Sequence, residues 1–178
     1  MSKYKLEIPP GPWGTIYLDP QWELLTPGVR RKIHYDRMSH GEIVSLPIRD
    51  VLDSNGHIWL WTTNAHLPDA LTLLPIWGVE YRGIVTWCKP KMGLGWWLRS
   101  QTEQLIFATR SKNNRRNAGS WTTVVHAPTS IHSAKPNGKI VPMIEALSPG
   151  PYLEIFARQK RMGWTCLSHH VNPPGPIW

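Results

Sequence analysis

The chain has little with which to cross-link or anchor itself. Its 178 residues contain only Cys88 and Cys166, far apart and outside any Cys-x-x-Cys arrangement. A disulfide framework or a zinc site is therefore not expected, and the composition fits a reducing, intracellular compartment, here read as cytoplasmic. No apolar run approaches the ~18 residues that a membrane span needs, and the stretch from Met1 to Glu7 lacks the apolar segment of a signal peptide. The expectation is a soluble protein without a membrane partner. Gly-x-Gly-x-x-Gly, Gly-Lys-Ser/Thr and Gly-x-Ser-x-Gly are all missing, which removes the usual footing for phosphate-loop and serine-hydrolase chemistry. Eight histidines occur, yet His132 and His169-His170 have neither His-x-x-x-His spacing nor a carboxylate cluster beside them, so no metal is expected. Acidic residues are scarce too: 12 Asp and Glu face 20 Lys and Arg, a formal charge of +8. That balance is the footprint of a nucleic-acid binder.

What is present is an alternation of strands and helices of one-domain length. Thr15 to Leu18 reads as a buried strand, and Ser39-x-x-Glu42 is a capping box opening a helical stretch toward Leu52, bent or broken at Pro47. Strands are predicted at His57 to Thr62, Tyr81 to Trp87, Gln104 to Thr109, Tyr152 to Phe156 and Trp164 to Leu167. Helices are predicted at Pro68 to Trp77, ended by Gly78, and at Val141 to Leu147. The pattern argues for an α/β fold: one sheet with helices on both faces, spanning residues 1–178 as a single domain. Of the 11 tryptophans, Trp59, Trp61 and Trp87 sit in apolar runs and are expected in the core.

The first strand runs into Asp19-Pro20-Gln21-Trp22, which places a carboxylate, a rigid backbone carbonyl and a large aromatic face at a strand end, where α/β proteins put ligand chemistry. These groups suit a flat nucleobase held by its edge and its face. The segment resembles the Asp-Pro-Pro-Trp motif of the MT-A70 family of S-adenosylmethionine-dependent adenine N6-methyltransferases, with Gln21 in place of the second proline. Further segments resemble the same family in the same order. They are Met38-Ser39-x-x-Glu42-Ile43, Gly56-x-Ile58-x-Leu60-Trp61-x-Thr63, Gly78-x-x-Tyr81, Trp87-x-Lys89, Gly95-Trp96-Trp97-Leu98-Arg99, Glu103 to Ala108, His132-Ser133-x-Lys135-Pro136, Glu154-x-Phe156-Ala157-Arg158 and Gly163-Trp164.

The resemblance implies a Rossmann-like methyltransferase fold whose catalytic motif precedes the cofactor-binding strand. It implies S-adenosylmethionine as cofactor, with Asp19 near the methionine end, Lys135 on the carboxylate, Arg158 on the ribose, and Ser133, Glu154 and Phe156 alongside. His169 stands where many members hold the cofactor's adenine with Asn and Glu or Gln; here the sequence is Ser168-His169-His170. Asp19 and the Pro20 carbonyl would accept hydrogen bonds from the adenine N6, and Trp22 would stack on the extruded base. Gln21 leaves both acceptors in place and adds a side-chain amide.

Three basic stretches fall in predicted loops. They contain Arg30-Arg31-Lys32; Lys89 and Lys91 with Trp96, Trp97 and Arg99; and Arg110-x-Lys112-x-x-Arg115-Arg116. If all leave the sheet on the side of Trp22, they form a basic, aromatic-lined groove for nucleic acid. The reading favours DNA over RNA as the polymer, in a chain that could act alone or in a homo- or heterodimer. The alternatives are an RNA adenine N6-methyltransferase, a catalytically inactive binding subunit beside an active partner, and a methyltransferase for small molecules or protein amides. The last leaves the charge of +8 without a purpose.

Overall fold

The computed structural model describes residues 6–23, 37–93, 97–112, 119–129 and 135–168. Among these residues, seven strands form one sheet: β1 (Trp13–Leu18), β2 (Leu52–Thr63), β3 (Glu80–Cys88), β4 (Thr102–Thr109), β5 (Val124–His126), β6 (Tyr152–Ile155) and β7 (Trp164–Leu167). Their spatial order is β5-β3-β4-β2-β1-β6-β7. β4 runs antiparallel to β2 and β3, and the remaining pairs are parallel. Four α-helices accompany them among the described residues: α1 (His40–Val44), α2 (Ile48–Val51), α3 (Leu67–Ile76) and α4 (Asn137–Leu147). This is the predicted α/β, Rossmann-like methyltransferase arrangement.

Side chains alternate across the sheet with the period of two that strands impose, and the two faces bury different chemistry. Ile16, Leu18, Ile58, Leu60, Ile106, Leu153 and Ile155 face α1, α2 and α3, whose Ile43, Ile48, Val51, Ala70, Leu73 and Leu74 complete an aliphatic core. Tyr17, Trp59, Trp61, Trp87 and Trp164 face the other way, against Ile140, Val141, Met143 and Ile144 of α4. Tryptophan brings an N–H into a core and needs an acceptor there. The four on this face each have one: Trp59 donates to Ser148 Oγ at 2.8 Å, Trp61 to the Tyr17 hydroxyl at 2.6 Å, Trp87 to the Ala127 carbonyl at 2.9 Å and Trp164 to Glu145 Oε1 at 2.8 Å, whereas Trp77, in the opposite core, buries its Nε1 without an acceptor among the described residues. Helices thus cover both faces, as the alternating pattern predicts.

The local signals act where they stand. Ser39 and Glu42 form the capping box in both directions, and the helical stretch breaks before Pro47 into α1 and α2. Gly78, at φ +71°, takes the left-handed position after α3, and its N–H bonds the Pro75 carbonyl. Gly14 lets β1 start against its neighbour, since a Cβ there would lie 2.3 Å from the Gly150 carbonyl oxygen.

Three elements differ from expectation. β2 begins at Leu52 rather than His57, across a bulge that sets Leu52 to His57 against Trp13 to Thr15 of β1. α4 begins at Asn137 because Pro136 can open a helix, its carbonyl accepting from Lys139 and Ile140. β5 lies inside what reads as a polar loop; three residues with exposed Val124 and His126 carry too little pattern to announce a strand.

Strand direction fixes where the loops go. β1, β2, β3, β5 and β6 all end at one edge of the sheet, here called the carboxyl edge. β4 starts there, with Glu103 opposite both Thr63 and Trp87, and ends at the far edge, with Thr109 opposite His57 and Glu80.

Candidate active site

Asp19 and Pro20 follow β1 directly, at the carboxyl edge, and the Asp19 N–H reaches the Ile155 carbonyl of β6 at 3.5 Å. The next residues are pinned through the backbone. Trp22 N–H donates to the Pro20 carbonyl at 3.0 Å, Met38 N–H to the Gln21 carbonyl at 2.8 Å, and Glu23 N–H to the Met38 carbonyl at 3.1 Å. Pro20 keeps one lone pair of its carbonyl for another donor. The Trp22 indole donates to the Trp61 carbonyl at 3.1 Å and stacks on His66, with ring centroids 5.2 Å apart. His66 therefore covers part of the aromatic surface that the sequence offers to a base. The Gln21 Oε1 atom is buried and finds no donor among the described residues.

A chain of alternating charges runs sideways from Asp19. Lys135, which precedes α4, places its ammonium 3.2 Å from Asp19 Oδ1 and also on Glu103 Oε2; Lys89, at the end of β3, pairs with Glu103 Oε1. Each ammonium also lies over an indole, Lys135 5.0 Å from the Trp61 centroid and Lys89 4.9 Å from that of Trp87. Burial by itself would pull the Lys135 amine down, but the Asp19 and Glu103 carboxylates outweigh it and hold the amine above its ordinary value. Burial likewise pushes Glu103 up, and the two lysines reverse it, leaving this carboxyl below its ordinary value. Burial drives the Tyr17 phenol well above its usual range; its hydroxyl donates to Asn137 Oδ1 at 2.8 Å while accepting from Trp61.

Asp19 and Lys135 form part of the wall of a cavity of about 440 Å³, with Tyr17, Asn137, Glu154, Phe156 and Arg158 among the other lining residues. Four sequence-predicted cofactor residues, Lys135, Glu154, Phe156 and Arg158, thus share one cavity with Asp19. Glu154, on β6, accepts from Arg161 Nη2 at 3.1 Å; burial, with a smaller push from Asp19, raises its carboxyl above the ordinary value despite Arg161. Phe156 follows β6 at φ +72°, a left-handed backbone that a bulky side chain adopts only under constraint. Ser133 and His169 lie outside the described residues.

The basic residues separate. Lys91, Trp97 and Arg99 belong to the β3–β4 connection at the carboxyl edge, whose base is closed by Lys89 N–H to the Gln101 carbonyl at 2.9 Å and Gly93 N–H to the Ser100 carbonyl at 2.6 Å. Trp97 is 98% exposed there. Lys89 is not a surface cation: its side chain is 16% exposed and committed to Glu103. Lys112 follows β4 at the far edge, 3.7 Å from Glu80, so the three basic stretches do not share one edge. Arg110 is spent there as well, donating to the carbonyls of Leu52, Arg49 and Trp77. Arg30, Arg31, Lys32, Trp96, Arg115 and Arg116 lie outside the described residues.

Glu103, Asn137 and His66 are site neighbours that the sequence reading did not single out. Glu103 had a signal: it is an acid at the head of an otherwise apolar strand, a position that calls for a buried cation. His66 and Asn137 had none, because their roles depend on which strand ends meet. Among the described residues no group of His, Cys, Asp and Glu could hold a metal ion, and no helix is long and apolar enough to cross a membrane.

Comparison with known proteins places this geometry. The chain is 27% identical over 173 residues to a probable N(6)-adenosine-methyltransferase MT-A70-like protein of Oryza sativa subsp. japonica, covering 91% of this chain and 23% of that protein. It is 32% identical over 168 residues to the N6-methyladenosine RNA methyltransferase MTA1 of Cryphonectria parasitica, covering 84% and 48% respectively. The type II methyltransferase M.MunI of Mycoplasma sp. is 23% identical over 180 residues, covering 89% and 77%. The chain thus spans about a quarter of the rice protein and about half of the fungal one. The MT-A70 family model matches residues 13–170, from the first residue of β1 past the end of β7, and the chain belongs to the MT-A70 family.

Proposed function

We propose that the protein transfers a methyl group from S-adenosylmethionine to the N6 amino group of adenine in nucleic acid, with DNA as the polymer. The observation that carries this reading is the pair of acceptors at the end of β1, the Asp19 carboxylate and the Pro20 carbonyl, beside a cavity that Asp19 shares with Lys135. The exocyclic nitrogen of adenine is a poor nucleophile because its lone pair is delocalised into the ring. Hydrogen bonds from its two N–H groups, one to Asp19 and one to Pro20, pyramidalise the nitrogen and localise that pair. As N6 becomes cationic, the Asp19 charge stabilises it, and the same carboxylate is placed to take the proton that leaves.

The cavity fits the cofactor in size and donor set. About 440 Å³ lies within the range of ligand pockets, and its wall combines the aromatic Phe156 with the polar Glu154, Arg158 and Asn137. When bound, the cofactor supplies a methyl group activated on a sulfonium sulfur. Lys135 would hold its carboxylate and Arg158 its ribose hydroxyls. The target base must leave its stack to reach Asp19. Lys91 and Arg99 would hold phosphates beside it, while the exposed Trp97 offers a stacking surface.

M.MunI, matched over 77% of its length, favours the DNA reading. The 32% identity to an RNA methyltransferase supports RNA as the second reading. Incubating the protein with S-adenosylmethionine and unmethylated DNA or RNA, then analysing the nucleosides by mass spectrometry, separates them. N6-methyldeoxyadenosine is expected, N6-methyladenosine alone would establish the second reading, and neither product would overturn both.

A further inference from the structure

The charge chain at the carboxyl edge has more members than methyl transfer by Asp19 needs. Asp19 and Lys135 line the cavity, whereas Glu103 and Lys89 do not. Both are nonetheless largely buried, with side chains 10% and 16% exposed, and the desolvation of a buried charged pair is repaid only where its geometry is good and its remaining donors and acceptors are met. The order along the chain is carboxylate, ammonium, carboxylate, ammonium, so two negative and two positive groups cancel.

Lys135 is the shared member. Its ammonium carries three N–H donors, of which Asp19 and Glu103 take two, while the Trp61 face supports it from β2. Were Glu103 absent, Asp19 would be the sole carboxylate within reach of Lys135, and the ammonium would settle onto the oxygens that must receive the base. Glu103 engages the same ammonium as a second carboxylate, and Lys135 meets Asp19 at Oδ1; among the described residues no ion pair or hydrogen bond is seen at Oδ2. Lys89 does for Glu103 what Glu103 does for Lys135, engaging its other oxygen and fixing its direction.

We propose that Glu103 and Lys89 are positioning residues for the methyl transfer: they hold Lys135 between Asp19 and the cavity, keeping one Asp19 oxygen open to the adenine amino group and one ammonium N–H open to an anion in the cavity. This rests on the reading of Asp19 as the acceptor of the base. Neither residue lines the cavity. Their effect passes through Lys135, whose charged and titratable surroundings are Tyr17 from β1, Asp19 just after it, Glu103 from β4, and Lys89 beyond it, with Glu154, Arg158 and Lys139 elsewhere on the cavity wall.

The test is steady-state methyl transfer to the preferred polymer as a function of pH, for the parent and for Glu103→Gln, Glu103→Asp, Lys89→Met and the Glu103→Gln/Lys89→Met double variant. Misplacing a positioned group by about 1 Å costs on the order of 100-fold, so Glu103→Gln should lower kcat by about 30-fold while moving KM for the polymer by less than about 3-fold. With one anion gone from beside Lys135, the ammonium loses its proton more easily, and the alkaline limb of the rate profile should move down by about one pH unit. Glu103→Asp should recover part of kcat. The double variant restores charge balance, so its loss should be no greater than that of Glu103→Gln alone, a non-additivity that independent structural damage would not give. Thermal unfolding reports the folded fraction of every variant. Parental kcat and pH profile in folded Glu103→Gln would overturn the proposal, as would losses that add in the double variant. Asp19→Asn separates the two readings: parental activity there would defeat the methyl-transfer assignment itself, whereas loss in Asp19→Asn with none in Glu103→Gln would defeat only the positioning role.

Discussion

The two edges of the sheet each hold cationic side chains, largely buried at one and half-buried at the other, and they satisfy them in opposite ways. At the carboxyl edge, Lys135 and Lys89 meet carboxylates, in a network that borders a cavity. At the far edge, Arg110 meets the backbone carbonyls of Leu52, Arg49 and Trp77 at 2.7, 2.7 and 3.2 Å, joining the end of α2 and the start of β2 to the end of α3. Carbonyls are fixed by the fold and cannot leave, so Arg110 behaves as a rivet. Carboxylates can exchange one partner for another, which is what a binding site requires. The same kind of residue is thus held by fixed backbone carbonyls at one edge and by carboxylates beside a cavity at the other.

That contrast can be broken by substitution. Asp19→Asn should lower the methyl-transfer rate by about 100- to 1000-fold, since it removes the negative charge at the developing cation, while moving the unfolding midpoint little. The converse is expected of Arg110→Met. Loss of a charge-assisted donor to three carbonyls should destabilise the protein by about 3 kcal/mol, read from urea unfolding, with the rate per folded molecule unchanged. A rate loss in folded Arg110→Met would erase the division between the edges.

Acid and alkali act on the carboxyl edge with opposite signs. The Glu103 carboxyl lies below its ordinary value of 4.5, so its stabilisation is complete above 4.5 and lost as the pH falls through the depressed value. The Lys135 amine lies above 10.5, so its stabilisation is complete below 10.5 and lost as the pH rises through the raised value. The Glu103→Gln variant should therefore show a shallower acid limb in thermal unfolding than the parent. An identical limb would mean that Glu103 does not stabilise the fold through its charge.

The smallest effect sharpens the contrast outside the core. Removing Arg99 or Lys91 should reduce the slope of log affinity against log salt for nucleic acid by about 1 each, whereas Lys112→Ala, across the sheet beside Glu80, should leave it unchanged. A reduced slope for Lys112→Ala would extend the nucleic-acid surface to the far edge.

How much of this could be read from the sequence follows from the range of each signal. Strand periodicity and the capping box at Ser39 are local, and they delivered the alternating elements and the buried Trp59, Trp61 and Trp87. Asp19-Pro20 and the ordered family resemblance led to the cavity's Lys135, Glu154, Phe156 and Arg158. What failed was anything set by strand direction. Nothing local says that β4 runs antiparallel, and that one reversal carries Lys112 to the far edge and brings Glu103 to Lys135, the partner of Asp19. Lys89 and Lys91 are two residues apart and equally basic in the sequence, yet one is sequestered by Glu103 and the other is exposed. β5 escaped notice because a three-residue edge strand is held by its neighbour, Thr86 to Cys88, rather than by its own pattern.

The most direct test is single-turnover transfer of a labelled methyl group from S-adenosylmethionine to adenine-containing DNA and RNA, for the parent, Asp19→Asn and Arg110→Met side by side. Label recovered as N6-methylated adenine from the parent and from folded Arg110→Met, with little from Asp19→Asn, is the result expected of a catalytic carboxyl edge. Equal label from Asp19→Asn would contradict it.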